Sequence, residues 1–340
     1  MAILRNICIA LLAVVLTGCY EDFTPDIYVK PVLCMNSLIT AGRPIEVAVT
    51  RTVLYTDENQ DFTVNDARIT IYVNDEEKDA DYIPREGDRI RLIAESNTYG
   101  SAQAEVVVPY SVKGGSFNWR PYLTDVRRDD SIGYDMCATI QFNLEASLTI
   151  DDSASEENYY RFAYISSHPH YGDDDMSGLS FHTGTFRYES EPIFAEHIGV
   201  FDSMMGGDAY GFTFFTDRQF NGDNYTLHLQ YSDCQYSVAS PVWNDELLDC
   251  EVEFTLYSVS KSYYNLAIYM WHRDYGSLEE LGNIGLGDPI WGYSNVSTGA
   301  GVVAAQSYTT YKLSLRDFLM ENLSEKNSCR AMAMSLRRKI

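Results

Sequence analysis

The chain has 340 residues, with 49 acidic against 25 basic and a formal net charge of −24. That balance argues against a nucleic-acid partner, because a phosphate backbone is bound by basic surface that replaces its counterions. It suits a self-repelling surface outside the cell, and the length suits two domains.

The first element is a leader. Arg5 is the only charge before Glu21, and Ile7 to Val15 is apolar throughout. A transmembrane helix needs about 20 apolar residues, so this run reads as the core of a secretory signal over residues 1–18. It ends in Leu16-Thr17-Gly18-Cys19, a motif that resembles the bacterial lipobox. There Cys19 is expected to become the acylated first residue of the mature chain, since two or more acyl chains anchor stably. Glu21 and Asp22 follow at once, and residues 19–27, with Pro25, read as a tether.

Strand signals begin next. "KPVLCMNSLI" and "RPIEVAVTRTV" flank Thr40-Ala41-Gly42, a turn-like spacer. "ARITIYVND" alternates through Ile69, Ile71 and Val73, the period of a half-buried strand. "DRIRLIAES" and "SAQAEVVVP" add two more, with a turn at Asn97 to Gly100. Short strands joined by polar turns predict an N-terminal, Ig-like β-sandwich over residues 28–112. Gly114-Gly115 marks a boundary. Beyond it "MCATIQFNLEASLTI", "ENYYRFAYISSH", "YGFTFFTD", "YTLHLQYS" and "LLDCEVEFTLYSVS" read as strands of a larger antiparallel β-domain over 116–316. One helix interrupts it. "KSYYNLAIYMWHR" places Tyr263, Leu266, Ala267 and Met270 at helical spacing, with Ser260 as its cap. Residues 317–340 read as a helical tail.

Four segments in order, "VLCMNSLITAGRPIEVAVTRTV", "NYYRFAYIS", "LYSVSKSYYNLAIYMWH" and "DPIWGYSNVSTGAGVVAAQSY", resemble domain-of-unknown-function family 4249, lipoproteins of the Bacteroidota. The most telling piece is "GYSNVSTGAGVV", where Gly299 and Gly301 suit tight backbone turns. The resemblance implies an outer-membrane lipoprotein, often encoded beside a TonB-dependent transporter, in an accessory role of nutrient binding or uptake. It brings no established reaction and no catalytic residues. It also implies that the acidic pair Glu21 and Asp22 marks export to the cell surface.

Direct signals for chemistry are weak. There is no G-x-S-x-G, H-E-x-x-H or P-loop, and the chain is expected to be non-catalytic with no cofactor. His168, His170, Asp173 and Asp175 form the sharpest metal-like cluster, weighed against a solvated acidic loop. Cys234 and Cys250, 16 apart, could face each other across a hairpin as a disulfide; buried thiols are the alternative. Trp119 and Tyr122 lie near the inferred domain junction, and clefts between domains are common ligand sites. The partners expected are outer-membrane lipid through Cys19, a TonB-dependent transporter, and a glycan or peptide ligand. A second reading is an envelope structural or adhesive protein, and a third is a metal-dependent enzyme built on the His168/His170 loop.

Overall fold

A computed structural model describes residues 30–54, 60–112, 115–127, 136–152, 156–167, 180–182, 185–186, 191–197, 212–239, 251–275 and 292–324. The chain is mostly β. In order the strands are β1 (Leu33–Thr40), β2 (Ala48–Arg51), β3 (Arg68–Val73), β4 (Glu76–Lys78), β5 (Arg89–Ser96), β6 (Gly100–Val107), β7 (Phe117–Arg127), β8 (Met136–Asp151) and β9 (Tyr159–Ser167). Then come β10 (Ser180–His182), β11 (Thr185–Phe186), a 3-10 turn (Pro192–His197), β12 (Phe214–Thr216), β13 (Asn224–Ala239), β14 (Glu251–Val259), helix α1 (Lys261–Tyr275), β15 (Val303–Ser314) and helix α2 (Arg316–Ser324).

Three sheets result. A six-stranded sheet has the order β12-β9-β14-β15-β1-β2, a five-stranded sheet runs β10-β13-β8-β7 with β11 also on β13, and a four-stranded sheet runs β4-β3-β5-β6. Among the described strands every pairing is antiparallel except β1 with β15, where Ser37 faces Val303 and Thr40 faces Gln306 in a parallel ladder. The expected boundary near residue 114 is therefore bridged by hydrogen bonds, because the first strand of the chain lies beside the last.

Period-two patterning explains the layers. In β8 the inward residues Ile140, Phe142, Leu144, Ala146, Leu148 and Ile150 are all buried, as alternation across a strand requires. They pack with Leu227 and Leu229 of β13 and with Phe162, Phe254, Leu256 and Leu313 of the six-stranded sheet. A second core joins Ile71, Ile90, Leu92, Ala102 and Ala104 of the four-stranded sheet to Leu33, Met35, Val303 and Ala305. Both cores use the same face of the six-stranded sheet, since Leu313, Ala305 and Val303 alternate along β15. The opposite face carries α1, through Tyr264 against Tyr159 and Val259.

α1 begins where expected. The Ser260 hydroxyl accepts from the Tyr263 amide at 3.4 Å and from the Ala305 amide at 3.0 Å, so one side chain caps the helix and fixes it to β15. His272 and Arg273 close the last turn, on the side of the helix dipole that favours cations.

Residues 294–302 lock the two ends of the chain together. Ser297 exchanges both backbone hydrogen bonds with Gln103 of β6, and Ala300 bonds Leu33 and Met35 of β1. Close approach demands glycine here. A Cβ on Gly299 would stand 2.7 Å from the Ala102 Cβ, and one on Gly301, at φ +110°, would overlap the Met35 carbonyl. We predict that Gly301→Ala lowers stability by more than about 1 kcal/mol, as alanine does where the backbone cannot accept it. Gly42→Ala, where φ is +78° but no atom lies within 4 Å, should cost less. Urea unfolding of the two variants measures the difference, and equal losses would show that the contact with β1 is not the constraint.

Candidate functional site

A cavity of about 730 Å³ opens beside the start of α1. Its walls come from distant parts of the sequence: Glu105 at the end of β6, Asn158 and Tyr159 entering β9, Ser258 to Asn265 across the β14–α1 junction, and Tyr293 and Asn295 before β15. A volume in the range of about 300–1,000 Å³ is typical of small-molecule sites.

The β9 wall is held by a carboxylate network. Asp217 accepts from the Asn158 amide at 2.8 Å and from its side-chain amide at 3.1 Å, while its own amide donates to the Asn158 carbonyl at 3.2 Å. Asp152 accepts from the same side-chain amide at 3.2 Å, from the Tyr160 hydroxyl at 2.6 Å and from the Gly222 amide at 3.0 Å. Glu157 takes the Tyr159 hydroxyl at 2.6 Å and pairs with Arg218 at 2.8 Å. These two bonds hold the Glu157 carboxyl below its usual range, whereas burial and the Glu157 charge push the Tyr159 phenol up.

The α1 wall is equally fixed. The Ser262 hydroxyl donates to the Val303 carbonyl at 2.9 Å. Asn295 pairs with the Val303 backbone twice, at 2.8 and 2.9 Å, and so serves as a one-residue strand partner. Lys261 projects its ammonium 6.0 Å from the Tyr159 ring centroid. The arrangement can therefore bind a polar molecule against tyrosine, hydroxyl, carboxylate and ammonium groups.

Three of the segments quoted above, around "NYYRFAYIS", "SVSKSYYN" and "WGYSN", supply Asn158 and Tyr159, Ser258 to Asn265, and Tyr293 and Asn295. The family model Domain of unknown function (DUF4249) matches residues 20–312. The chain belongs to the DUF4249 family. No curated protein and no solved structure matches it.

Of the candidate site residues singled out by sequence in this DUF4249 chain, the structure describes Cys234, Trp119 and Tyr122. Cys19, Glu21, Asp22, His168, His170, Asp173, Asp175 and Cys250 fall outside the described residues. Cys234 is buried on β13, and β13 and β14 lie in different sheets instead of side by side. Trp119 packs against the larger core, and Tyr122 is exposed on β7 with Arg120 over its ring; neither lines the cavity. No group of three or more metal-ligating side chains is gathered among the described residues. Among them, too, no helix is long and apolar enough to cross a membrane. Glu105, Glu157 and Lys261 were missed because single polar residues at strand ends carry no periodic signal.

Asp217 gives a pH-dependent signature. It is fully buried, and one of its oxygens has no hydrogen-bond partner among the described residues. Burial is the largest influence on its carboxyl; the Asn158 bonds oppose it, the Asp152 charge reinforces it, and the net shift is upward from 3.8. A carboxyl with a raised folded pKa contributes stability below its unfolded pKa and loses it as pH rises through the folded value. Asp217→Asn is accordingly predicted to melt higher than the parent chain at about pH 7, with the gap narrowing toward about pH 4. Paired melting curves across that window check the sign. A gap that widens on acidification would mean that the charged form is the favoured one.

Proposed function

We propose that this chain is a lipid-anchored binding protein of the outer membrane, exposed at the cell surface, that holds a small polar molecule in the cleft beside the start of α1. Its role is accessory to uptake through a TonB-dependent transporter. The observation that carries the reading is the cleft itself, an open cavity of about 730 Å³ whose polar walls are fixed by hydrogen bonds. The leader ending in Leu16-Thr17-Gly18-Cys19 supports the anchor. The acidic pair Glu21 and Asp22 supports surface exposure, and the family resemblance supports the transporter. On this reading residues 28–112 form an Ig-like sandwich module whose second layer is completed by β15. The expected helical tail would begin with α2, and residues 325–340 lie outside the described residues.

The anchor and the partner are tested separately. In cells fed an alkyne fatty acid, the parent chain should be labelled and Cys19→Ala should not; labelling of Cys19→Ala would remove the anchor. Replacing Glu21 and Asp22 with alanine should reduce protease accessibility on intact cells without changing the labelling. Copurification from mildly solubilised membranes should recover a TonB-dependent transporter, and its absence under conditions that preserve such complexes would overturn the transporter role.

A further inference from the structure

One side-chain amide in the β9 wall meets more oxygens than it has protons. The Asn158 Nδ2 lies 3.2 Å from Asp152 Oδ1, 3.1 Å from Asp217 Oδ2 and 3.1 Å from the Glu156 carbonyl. An amide NH2 carries only two hydrogens, so one acceptor is left over. Two of the three oxygens belong to carboxylates. Their other partners are neutral: the Tyr160 hydroxyl and Gly222 amide for Asp152, and the Asn158 amide for Asp217. Arg218 follows Asp217 directly, yet it is exposed and pairs with Glu157.

Asp217 makes the deficit acute. It is fully buried, its Oδ2 faces the shared point, and the Oδ1 of the same carboxyl has no hydrogen-bond partner among the described residues. Buried charges are paired or coordinate metal ions, and here no cation supplies the pairing.

The donor set says which ion fits. It contains oxygen and neither sulfur nor imidazole, which favours hard cations over transition metals. Two carboxylates, a backbone carbonyl and an Asn side chain are ligands that calcium accepts in irregular geometry, whereas magnesium demands a near-ideal octahedron and keeps its waters. Calcium–oxygen distances of about 2.3–2.6 Å require these oxygens to draw in by less than about 1 Å. Turning the Asn158 amide over presents its oxygen in place of its nitrogen, and the two occupy equivalent positions on the group. Asp152 and Asn158 are half-buried, and Glu156 and Gly222 are exposed, so the point is reached from solvent.

We propose that Asp152, Asp217, Asn158 and the Glu156 carbonyl form a calcium site. The ion ties the end of β8 and the entry to β9 to the turn between β12 and β13, and so fixes the wall that carries Glu157 and Tyr159. With two carboxylates, its affinity belongs with the weak sites of extracellular modules, at a Kd of about 10⁻⁴–10⁻³ M.

The test is calorimetric titration of the detergent-solubilised full chain, first stripped with chelator, using calcium chloride or magnesium chloride. Calcium should bind once per chain, and magnesium about tenfold more weakly or less tightly still. Asp152→Asn and Asp217→Asn should each weaken calcium by about tenfold or more. Asp151→Asn, which alters an exposed neighbouring carboxylate, should change nothing. Asn158→Asp adds a third carboxylate and should tighten calcium, a gain that an amide serving only as a hydrogen-bond donor would not give. Circular dichroism confirms that the variants fold. Saturating calcium should raise the melting temperature of the parent chain by about 3 °C or more over its own value in chelator, and leave Asp217→Asn unmoved. No calcium binding up to about 10 mM, well above that range, would overturn the proposal. So would equal weakening by Asp151→Asn, the mark of diffuse attraction to an acidic surface, or magnesium binding as tightly as calcium. Labelling at Cys19 and transporter copurification are independent of these outcomes.

Discussion

The parallel contact between β1 and β15 is the constraint on which the rest depends. It joins residues 266 positions apart, through the Val302 amide to the Asn36 side chain and the Gln306 side chain to the Thr40 hydroxyl. β15 belongs to both cores, with Val303 and Ala305 in one and Leu313 in the other. Neither core is closed until the end of the chain has returned to its beginning. Closing such a loop pays entropy before the contacts are gained, so this topology favours slow folding. The glycines at 299 and 301 make the return possible, because their backbones pass β1 and β6 at distances no side chain would allow.

Sharing one sheet between two cores also leaves a seam between them. Two facing layers, of four and five strands, lie along a single sheet face and cannot fill it continuously. The gap falls at Ser258 and Ser307, where hydroxyls interrupt an apolar run. The same end of β14 leads into α1 on the opposite face, where the cleft opens, with Ser260 tied to β15. The opposite wall owes its position to Asp152 and Asp217, which clamp Asn158 from two sides. Burying Asp217 raises the cost of its charge at neutral pH, a cost set against the rigidity of the wall that carries Tyr159 and Glu157.

Much of the local structure was legible. Ile69, Ile71 and Val73 alternate in sequence and lie in β3; Ile140 to Ile150 alternate and line the larger core. Ser260 ahead of an unbroken run without Gly or Pro announced α1 and its cap. The pairing of strands was not legible, since alternation reports which side of a strand is apolar and not which strand lies beside it. β12 and β13 flank one turn in sequence yet join different sheets, as do β13 and β14. The cleft was hidden for a related reason. Clefts at domain junctions were expected, and Trp119 and Tyr122 stood nearest in sequence. The residues that line it are Glu105, Tyr159, Lys261 and Tyr293, brought together from four separate segments.

By itself, then, the sequence determined the β character of the chain, the start of α1, the glycine-dependent turn before β15 and membership of the DUF4249 family. These follow from side-chain period, capping chemistry and local backbone freedom, all of which act over a few residues, or from the order of segments along the chain. Only the tertiary structure decided that the first strand runs parallel to the last and that both cores share one sheet face. It also decided that residues from β6, the β9 entry, the β14–α1 junction and the turn before β15 line one cavity. Those outcomes depend on which apolar faces cover one another at long range, and the resulting contacts leave no local pattern at either partner.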